Sequence, residues 1–201
     1  MWKKRFLPWL VLLLWPVIDR LLIVSCRIKP LRSDGIIGVE TRRYKGHPIK
    51  LGDGCEVKPG DTIIELHLSA AWFRQRRKMS LTAPGWEVLY CFAKDLGYLA
   101  EQMVNEKFDS RITALHASTL LHVLARRLGF QVEELPNTLW NRLTQFYLAG
   151  LMQIHHLQGN ERFNILSKPL ELKEIWLSKA ELLMRYGSPG QHPEAKITGL
   201  K

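Results

Sequence analysis

The alternation of apolar and polar residues is clearest between Thr62 and Ser69, where its period of two is typical of a β-strand. One face of this strand is mostly apolar and carries Thr62, Ile64, Leu66 and Leu68. The other face is mostly polar and carries Ile63, Glu65, His67 and Ser69. The pattern predicts a sheet that is covered on its apolar face and only partly covered on its polar face.

Periodicity and turn residues predict the remaining elements. Further strands are expected over residues 36–44, 48–51, 112–117, 130–135 and 170–177. Helices are expected over residues 17–28, 86–105, 119–128, 137–154 and 178–186. Because strands cluster first and alternate with helices later, we expect an α+β fold. It is a single domain with a mixed sheet of about six strands and helices packed on one face, preceded by an apolar N-terminal helix.

Short turn and cap motifs mark several boundaries. Pro59-Gly60 suits the centre of a type II turn, in which glycine accepts a positive φ. Gly129 is expected to end the helix that precedes it. Ser178 and Glu181 form a capping box, in which the serine hydroxyl accepts the Glu181 amide and the Glu181 carboxylate reaches back. The last helix is therefore expected to begin at this pair.

The N-terminal segment is basic at its start and then apolar. Lys3, Lys4 and Arg5 precede thirteen uncharged residues, 6–18, which are fewer than the roughly 20 that a membrane-spanning helix needs. A basic start followed by a short apolar stretch also resembles a secretory signal. We favour the interpretation in which residues 1–16 lie in a membrane interface, with Trp2, Trp9 and Trp15 at head-group depth. These three basic residues are therefore candidates for binding an anionic membrane surface.

Two charged residues bear on whether the N-terminal segment is cleaved. Asp19 and Arg20 lie just before residues 23–26, which resemble a lipoprotein cleavage box, and they argue against cleavage there. We expect residues 1–16 to be an uncleaved anchor at the cytoplasmic face of the membrane. The alternative is a wholly cytosolic core helix over residues 17–28 with an apolar tail ahead of it.

Length and charge bound the organisation of the chain. Its 201 residues suffice for one buried core, which we place at 17–187, with a loose tail over 188–201. The formal net charge is +10, and residues 1–100 carry +8 of it, with 17 basic and 9 acidic residues. Such a field attracts an anionic membrane surface or an envelope polymer. The alternative is scattered surface charge without a partner.

A second basic cluster follows two aromatic residues. Its members are Arg74, Arg76, Arg77 and Lys78, directly after Trp72 and Phe73. Anionic lipid and single-stranded nucleic acid both accept such an order of side chains. Because no recognisable nucleic-acid motif accompanies the cluster, we rank a membrane surface or envelope polymer above nucleic acid as the partner.

Strong catalytic and cofactor motifs are absent from the sequence. It contains no phosphate-binding loop, dinucleotide fingerprint, nucleophile elbow or H-E-x-x-H zinc motif. Cys26, Cys55 and Cys91 are widely spaced and odd in number, which favours buried thiols over a disulfide framework. His116 and His122 would diverge around a helix and form no ligand pair. The sequence thus predicts neither a cofactor nor a metal site.

One pair of side chains suggests chemistry. Glu65 and His67 project from the same strand face, and a carboxylate beside an imidazole orients it and raises its pKa, as a general base or a metal site requires. His116, Glu174 and Trp176 would join them if their strands are neighbours. The alternative is a solvated pair on an open face. We take Glu65, His67 and His116 as the candidate catalytic residues.

Several short motifs spread over residues 17–187 match those of a known family. They are Ile18-Asp-Arg-Leu, Arg27-Ile-Lys-Pro-Leu-Arg32, Pro59-Gly-Asp-Thr-Ile-Ile-Glu-Leu-His-Leu68, Leu128-Gly-Phe130 and Glu174-Ile-Trp-Leu-Ser178. By these motifs the chain resembles the YkoP-like domain, an uncharacterised bacterial family. Members of that family occur alone or attached to polysaccharide deacetylases, so the resemblance implies a link to cell-envelope carbohydrate. The deacetylase's own metal motifs are missing from this chain.

Two functions from different classes remain open. The first is a non-catalytic accessory or binding module, peripheral to the membrane and linked to cell-envelope polysaccharide metabolism, with a polysaccharide deacetylase as a candidate partner. The second is a small enzyme, a transferase or hydrolase, that acts on a sugar- or lipid-linked substrate through the Glu65 and His67 face. The surroundings of these two side chains distinguish the hypotheses.

Overall fold

The computed structural model describes residues 28–69, 85–135 and 171–187, together with residues 72, 138, 141–142, 144–145 and 148. Eight strands and three helices lie within these residues. The strands are β1 (Lys29–Pro30), β2 (Ile37–Arg43), β3 (Ile49–Lys50), β4 (Glu56–Val57), β5 (Thr62–Leu68), β6 (Ile112–Thr119), β7 (Gln131–Glu134) and β8 (Lys173–Ser178). The helices are α1 (Gly85–Val104), α2 (His122–Arg127) and α3 (Lys179–Tyr186).

Six of these strands form one mixed sheet in the order β1-β2-β5-β6-β8-β7. β5 and β6 pair in parallel, and the other neighbouring strands of this sheet pair antiparallel. The connection between β5 and β6 contains α1, because parallel neighbours need a crossover. β3 and β4 form a separate two-stranded hairpin. The predicted α+β domain with a six-stranded mixed sheet is confirmed.

The main hydrophobic core lies between the helices and one face of the sheet. Its most buried members are at most 1% exposed: Ile37, Ile64, Leu96, Leu99, Leu115, Leu177 and Leu182. They come from β2, β5, β6 and β8 on the sheet side and from α1 and α3 on the helix side. The period of 3.6 along α1 and the period of two along β5 therefore meet at one interface, as the sequence predicts.

A buried carboxylate fastens α1 to the sheet. Asp95 is 2% exposed, and its Oδ2 accepts a hydrogen bond of 2.9 Å from the backbone amide of Ile37. Burial raises the pKa of Asp95, although the amides of Ile37 and Ile36 and the charge of Arg32 act in the opposite direction. A Cβ on Gly35 would lie 2.7 Å from Oδ2, so this close approach requires glycine.

The β3–β4 hairpin covers part of the other face of the sheet. A second hydrophobic cluster forms there from Leu51, Val57, Ile63, Ala114 and Trp176. The side chain of Gln131 holds the hairpin in place, since its Oε1 accepts from the Gly52 amide at 2.8 Å and its Nε2 donates to the Lys50 carbonyl at 3.3 Å. The polar face is therefore covered at one end and open beyond it.

The predicted turns and the serine half of the capping box are confirmed in the structure, whereas the glutamate half is wrong. Gly60 and Gly129 have φ values of 96° and 93°, and the Asp61 amide donates to the Lys58 carbonyl across the turn. The hydroxyl of Ser178 accepts the Glu181 amide at 2.9 Å. The carboxylate of Glu181, which was expected to reach back to the cap, accepts a hydrogen bond from the guanidinium of Arg185 at 3.0 Å.

Several predicted boundaries shift, and two strands are new. Residues 29–30 form the edge strand β1, directly after the predicted helix over 17–28, where no strand was predicted. Residues 56–57 form β4, which was not among the predicted strands. β6 extends to Thr119, so α2 begins three residues later than predicted, at His122. Two-residue strands are too short to show a period, which is why the pattern missed them.

Parts of the predicted organisation lie outside the described residues. These parts are residues 1–16, the helix over 17–27, most of the helix over 137–154, and the tail over 188–201. Within the described stretches, no helix has the length and apolar character that a bilayer crossing would require.

Candidate functional site on the polar face of the sheet

Cross-strand register gathers charged side chains on the polar face. Glu40 of β2 lies opposite Glu65 of β5, which lies opposite His116 of β6, which lies opposite Trp176 of β8. Residues paired in this way share a face, with Cβ atoms about 5 Å apart. The strands carrying Glu65, His116 and Trp176 are therefore neighbours, as the candidate site required.

Glu65 forms an ion pair with a residue that the sequence analysis did not select. The Nε of Arg42 lies 2.6 Å from the Oε2 of Glu65, and the carboxylate side chain is 16% exposed. Its other oxygen, Oε1, lies 4.0 Å from the Nδ1 of His116. Glu65 is thus a half-buried, engaged carboxylate, and the interpretation of it as a freely solvated residue is wrong.

His67 faces a carboxylate of the neighbouring strand. Its Nε2 lies 3.5 Å from the Oε2 of Glu40, and the two side chains are 26% and 23% exposed. Burial lowers the pKa of His67, against the opposing effect of the charges of Glu65 and Glu40. The sequence analysis expected the adjacent carboxylate to raise this pKa, and burial outweighs that effect.

His116 lies deepest in the group. Its side chain is 5% exposed, and its ring centroid lies 4.3 Å from that of Trp176. Its Nε2 is 3.7 Å from the Oε1 of Glu174, and neither ring nitrogen has a hydrogen-bond partner among the described residues. Burial would raise the pKa of Glu174, but the proximity of His116 and the indole of Trp176 outweigh it and hold that pKa below its usual value.

Trp176 joins the charged group to the hairpin cluster. It is 1% exposed and stands edge-on to the ring of Tyr44, with centroids 5.3 Å apart. Its Nε1 points to the Oε2 of Glu174 at 3.4 Å, a long hydrogen bond. The indole is therefore a wall of the site and has no exposed face on which a ligand could stack.

Three of these side chains have the spacing of a ligand set for a cation. Glu40, Glu65 and His67 each offer one oxygen or nitrogen, and these atoms lie within 4.8 Å of one another. Glu65 and His67 were predicted from the alternation along β5, whereas Glu40 and Arg42 were not predicted. The signal was present, because Glu40 and Arg42 are two residues apart on β2 and so share a face. Their register with Glu65 was not readable before the strand order was known.

The basic candidates cannot be placed against this face. Lys3, Lys4, Arg5, Arg74, Arg76, Arg77 and Lys78 all lie outside the described residues. Their assignment to an anionic surface therefore stays a prediction.

Comparison with known proteins assigns the family. The model of the YkoP domain matches residues 9–186 of the chain. The chain belongs to the YkoP domain family. The "Uncharacterized protein YkoP" of Bacillus subtilis (strain 168) is 25% identical to this YkoP domain over 123 residues, which are 59% of this chain and 67% of that protein. No solved structure matches the chain.

Two of the motifs that carried the resemblance contribute side chains to the polar face of this YkoP domain, whereas Leu128 and Phe130 of a third lie in the main core. The motif over residues 59–68 contains β5 and supplies Glu65 and His67. The motif over residues 174–178 lies in β8 and supplies Glu174 and Trp176. The attachment to polysaccharide deacetylases, which the resemblance implied, stays a prediction for this chain.

Proposed function

We propose that this YkoP domain is a non-catalytic accessory module that binds a hydroxyl-rich envelope polymer on its polar face. The observation that carries the proposal is the convergence of Glu40, Arg42, Glu65, His116 and Glu174 from four strands. Carboxylates accept and a guanidinium donates hydrogen bonds, so the row offers both partners that neighbouring sugar hydroxyls need. The module is peripheral to the cytoplasmic face of the membrane and serves polysaccharide metabolism, with a polysaccharide deacetylase as its candidate partner.

Distances within the site favour binding over catalysis. An imidazole that acts as a general base is held by hydrogen bonds of about 2.6–3.2 Å. His67 lies 3.5 Å from Glu40, and His116 lies 3.7 Å from Glu174 and 4.0 Å from Glu65. By contrast, the ion pair between Arg42 and Glu65 is short, at 2.6 Å. It fixes these two side chains in one orientation, in which a ligand would contact them.

Affinity electrophoresis in gels containing purified envelope polysaccharide tests the polar face. The variant Arg42→Gln removes the guanidinium, and we expect about a tenfold weaker retardation, the loss of one charge-assisted hydrogen bond. The matched control is Arg43→Gln, the next residue of β2, whose side chain donates to the Gly60 carbonyl. Equal retardation of both variants and the unaltered protein, or no retardation at all, would rule out this face as the binding surface.

Membrane association rests on the sequence and needs its own experiment. We expect the full chain to sediment with membranes and the chain lacking residues 1–16 to remain in solution, because the apolar residues supply the interfacial binding. Replacing Arg74, Arg76, Arg77 and Lys78 with Ser should weaken binding to anionic vesicles by about 1 kcal/mol per charge near the surface. A mature chain that begins at Cys26 with an attached lipid would show that the segment is cleaved.

A small enzyme acting on a sugar- or lipid-linked substrate is the second candidate. It is favoured by the position of His116, whose two ring nitrogens face the carboxylates of Glu65 and Glu174. Such a carboxylate–imidazole–carboxylate arrangement suits proton transfer once a substrate tightens it. The variant His116→Gln separates the candidates when its polymer affinity and its cellular role in a deletion strain are both measured. In an enzyme the role is lost out of proportion to any change in affinity, whereas in a binding module the role and the affinity are retained or lost together.

A further inference from the structure

The polar face places like charges directly opposite one another. Glu40 and Glu65 are cross-strand partners, an arrangement that destabilises a sheet unless positive charge lies between them. Both side chains are less than one quarter exposed, so water screens the repulsion poorly. A cation beside the two carboxylates would remove this repulsion and stabilise the folded protein.

The protein's own cations neutralise only part of this charge. Glu40, Glu65 and Glu174 contribute three carboxylates to this face. Among the described lysines and arginines, Arg42 forms an ion pair with this group, and its partner is Glu65. Glu40 and Glu174 contact the imidazoles of His67 and His116, and Glu174 also accepts a long hydrogen bond from the uncharged indole of Trp176. The group therefore leaves room for a divalent positive charge.

The buried imidazole points to the same conclusion independently. His116 is 5% exposed, yet its Nδ1 and Nε2 make no hydrogen bond among the described residues, and Nδ1 is directed at Glu65. Buried polar nitrogens are rarely left without a partner. A carboxylate that binds a metal is itself held by a neighbouring hydrogen bond, and His116 is in the position to supply it to Glu65.

We propose that Glu40, Glu65 and His67 bind one divalent first-row transition-metal ion, and that His116 orients Glu65 from behind. The ligand atoms lie within 4.8 Å of one another, so side-chain torsions suffice to bring them to bonds of about 2.0–2.2 Å around Zn²⁺. An imidazole among the ligands favours Zn²⁺, with Mn²⁺ well below it in the first-row order of affinity, over Mg²⁺ and Ca²⁺, which prefer oxygen ligands. Water or a polar ligand would complete the coordination.

Equilibrium dialysis of the full chain tests the site, after removal of metal with a chelator and then of the chelator. Zn²⁺ and Mn²⁺ are the probes, and Mg²⁺ is the comparison. We expect saturable binding of one Zn²⁺ per chain, with Glu40→Gln and His67→Gln weakening it at least about tenfold, since even an outer-shell change costs this much. The matched control is Glu56→Gln, an exposed hairpin carboxylate paired with Lys58, which should bind as the unaltered protein does.

The melting temperature with and without Zn²⁺ is a second measurement of binding, and it also shows whether each variant is folded. Glu40→Gln removes the opposed charge and should raise the melting temperature of the metal-free protein, while abolishing the further rise that Zn²⁺ gives the unaltered chain. No saturable Zn²⁺ binding, or equal affinity in Glu40→Gln and the control, would overturn the proposal. Because the metal is the only ligand added, this result is independent of whether the polar face binds a polymer.

Discussion

Replacing Trp176 with Ala tests whether the second hydrophobic cluster stabilises the fold. Trp176 is 1% exposed and packs against Leu51, Val57, Ile63 and Ala114, which lie on the opposite side of the sheet from the main core. The substitution therefore opens a cavity between the sheet and the β3–β4 hairpin. It leaves the helix-covered face unchanged.

The expected cost follows from the buried area. A tryptophan buries roughly 150–250 Å², which at about 25 cal/mol per Å² is worth about 4–6 kcal/mol as an upper estimate. Measured Trp→Ala costs in cores are about 3–5 kcal/mol, and we expect a value in that range. The long hydrogen bond to Glu174, at 3.4 Å, adds little. Because a domain has about 5–15 kcal/mol of stability in total, a loss of this size is a large fraction of it and is readily measured by unfolding.

Urea unfolding measures the free energy, and hydrogen exchange locates its effect. The matched control is Leu66→Ala on the helix-covered face, 5% exposed, with an expected cost of about 2–5 kcal/mol. Only Trp176→Ala should increase local exchange at the Leu51 amide, which donates to the Cys55 carbonyl across the hairpin. A cost below about 1 kcal/mol for Trp176→Ala would show that the hairpin adds no core to the sheet.

Three further predictions follow from the described contacts. Because burial lowers the pKa of His67, the imidazole of the unfolded chain is protonated first as the pH falls through about 6.5, and the free energy of unfolding decreases over that range. His67→Gln should make this part of the pH profile flatter when stability is measured by urea unfolding in the presence of a chelator. Asp95→Ala should cost about 1–3 kcal/mol by leaving the buried Ile37 amide unpaired, and Asp95→Asn, which retains an acceptor, should cost less in the same assay. Gln131→Ala should cost about 1 kcal/mol and increase hydrogen exchange at the Gly52 amide, whereas unchanged exchange would show that the hairpin is held by other contacts.

The sequence predicts the elements whose periods are long enough to read. β5 shows four alternations and α1 spans 20 residues, so both emerge from the pattern with nearly correct bounds. The positive φ of Gly60 and Gly129 follows from glycine's lack of a Cβ, which makes those two boundaries predictable as well. Elements of two residues, such as β1 and β4, have no period and depend on their partners, so they appear only with the structure.

The candidate site was predictable within one strand but not between strands. Glu65 and His67 share a face because they are two residues apart, which the sequence alone establishes. Glu40 joins them through the antiparallel register of β2 and β5, and His116 joins through the parallel register of β5 and β6. Neither register is local, since the β3–β4 hairpin separates β2 from β5 along the chain and the crossover through α1 separates β5 from β6. Propensity and alternation contain no information about that order.

The boundary of the hairpin explains why these charges differ from an ordinary solvated surface. On the polar face, which the hairpin covers at one end, the side chains change from apolar to polar within two residues along each central strand. The change runs from Ile63 to Glu65 on β5 and from Ala114 to His116 on β6. A sheet that needed only stability could have continued the apolar row under a longer hairpin, or have opened the face fully to water. Instead the carboxylates and His116 lie where desolvation is costly and where the buried imidazole nitrogens lack hydrogen-bond partners among the described residues. A local conflict with folding of this kind is expected where a protein binds something, which is why the polar row, and not the apolar cluster beside it, is the place to look for the ligand.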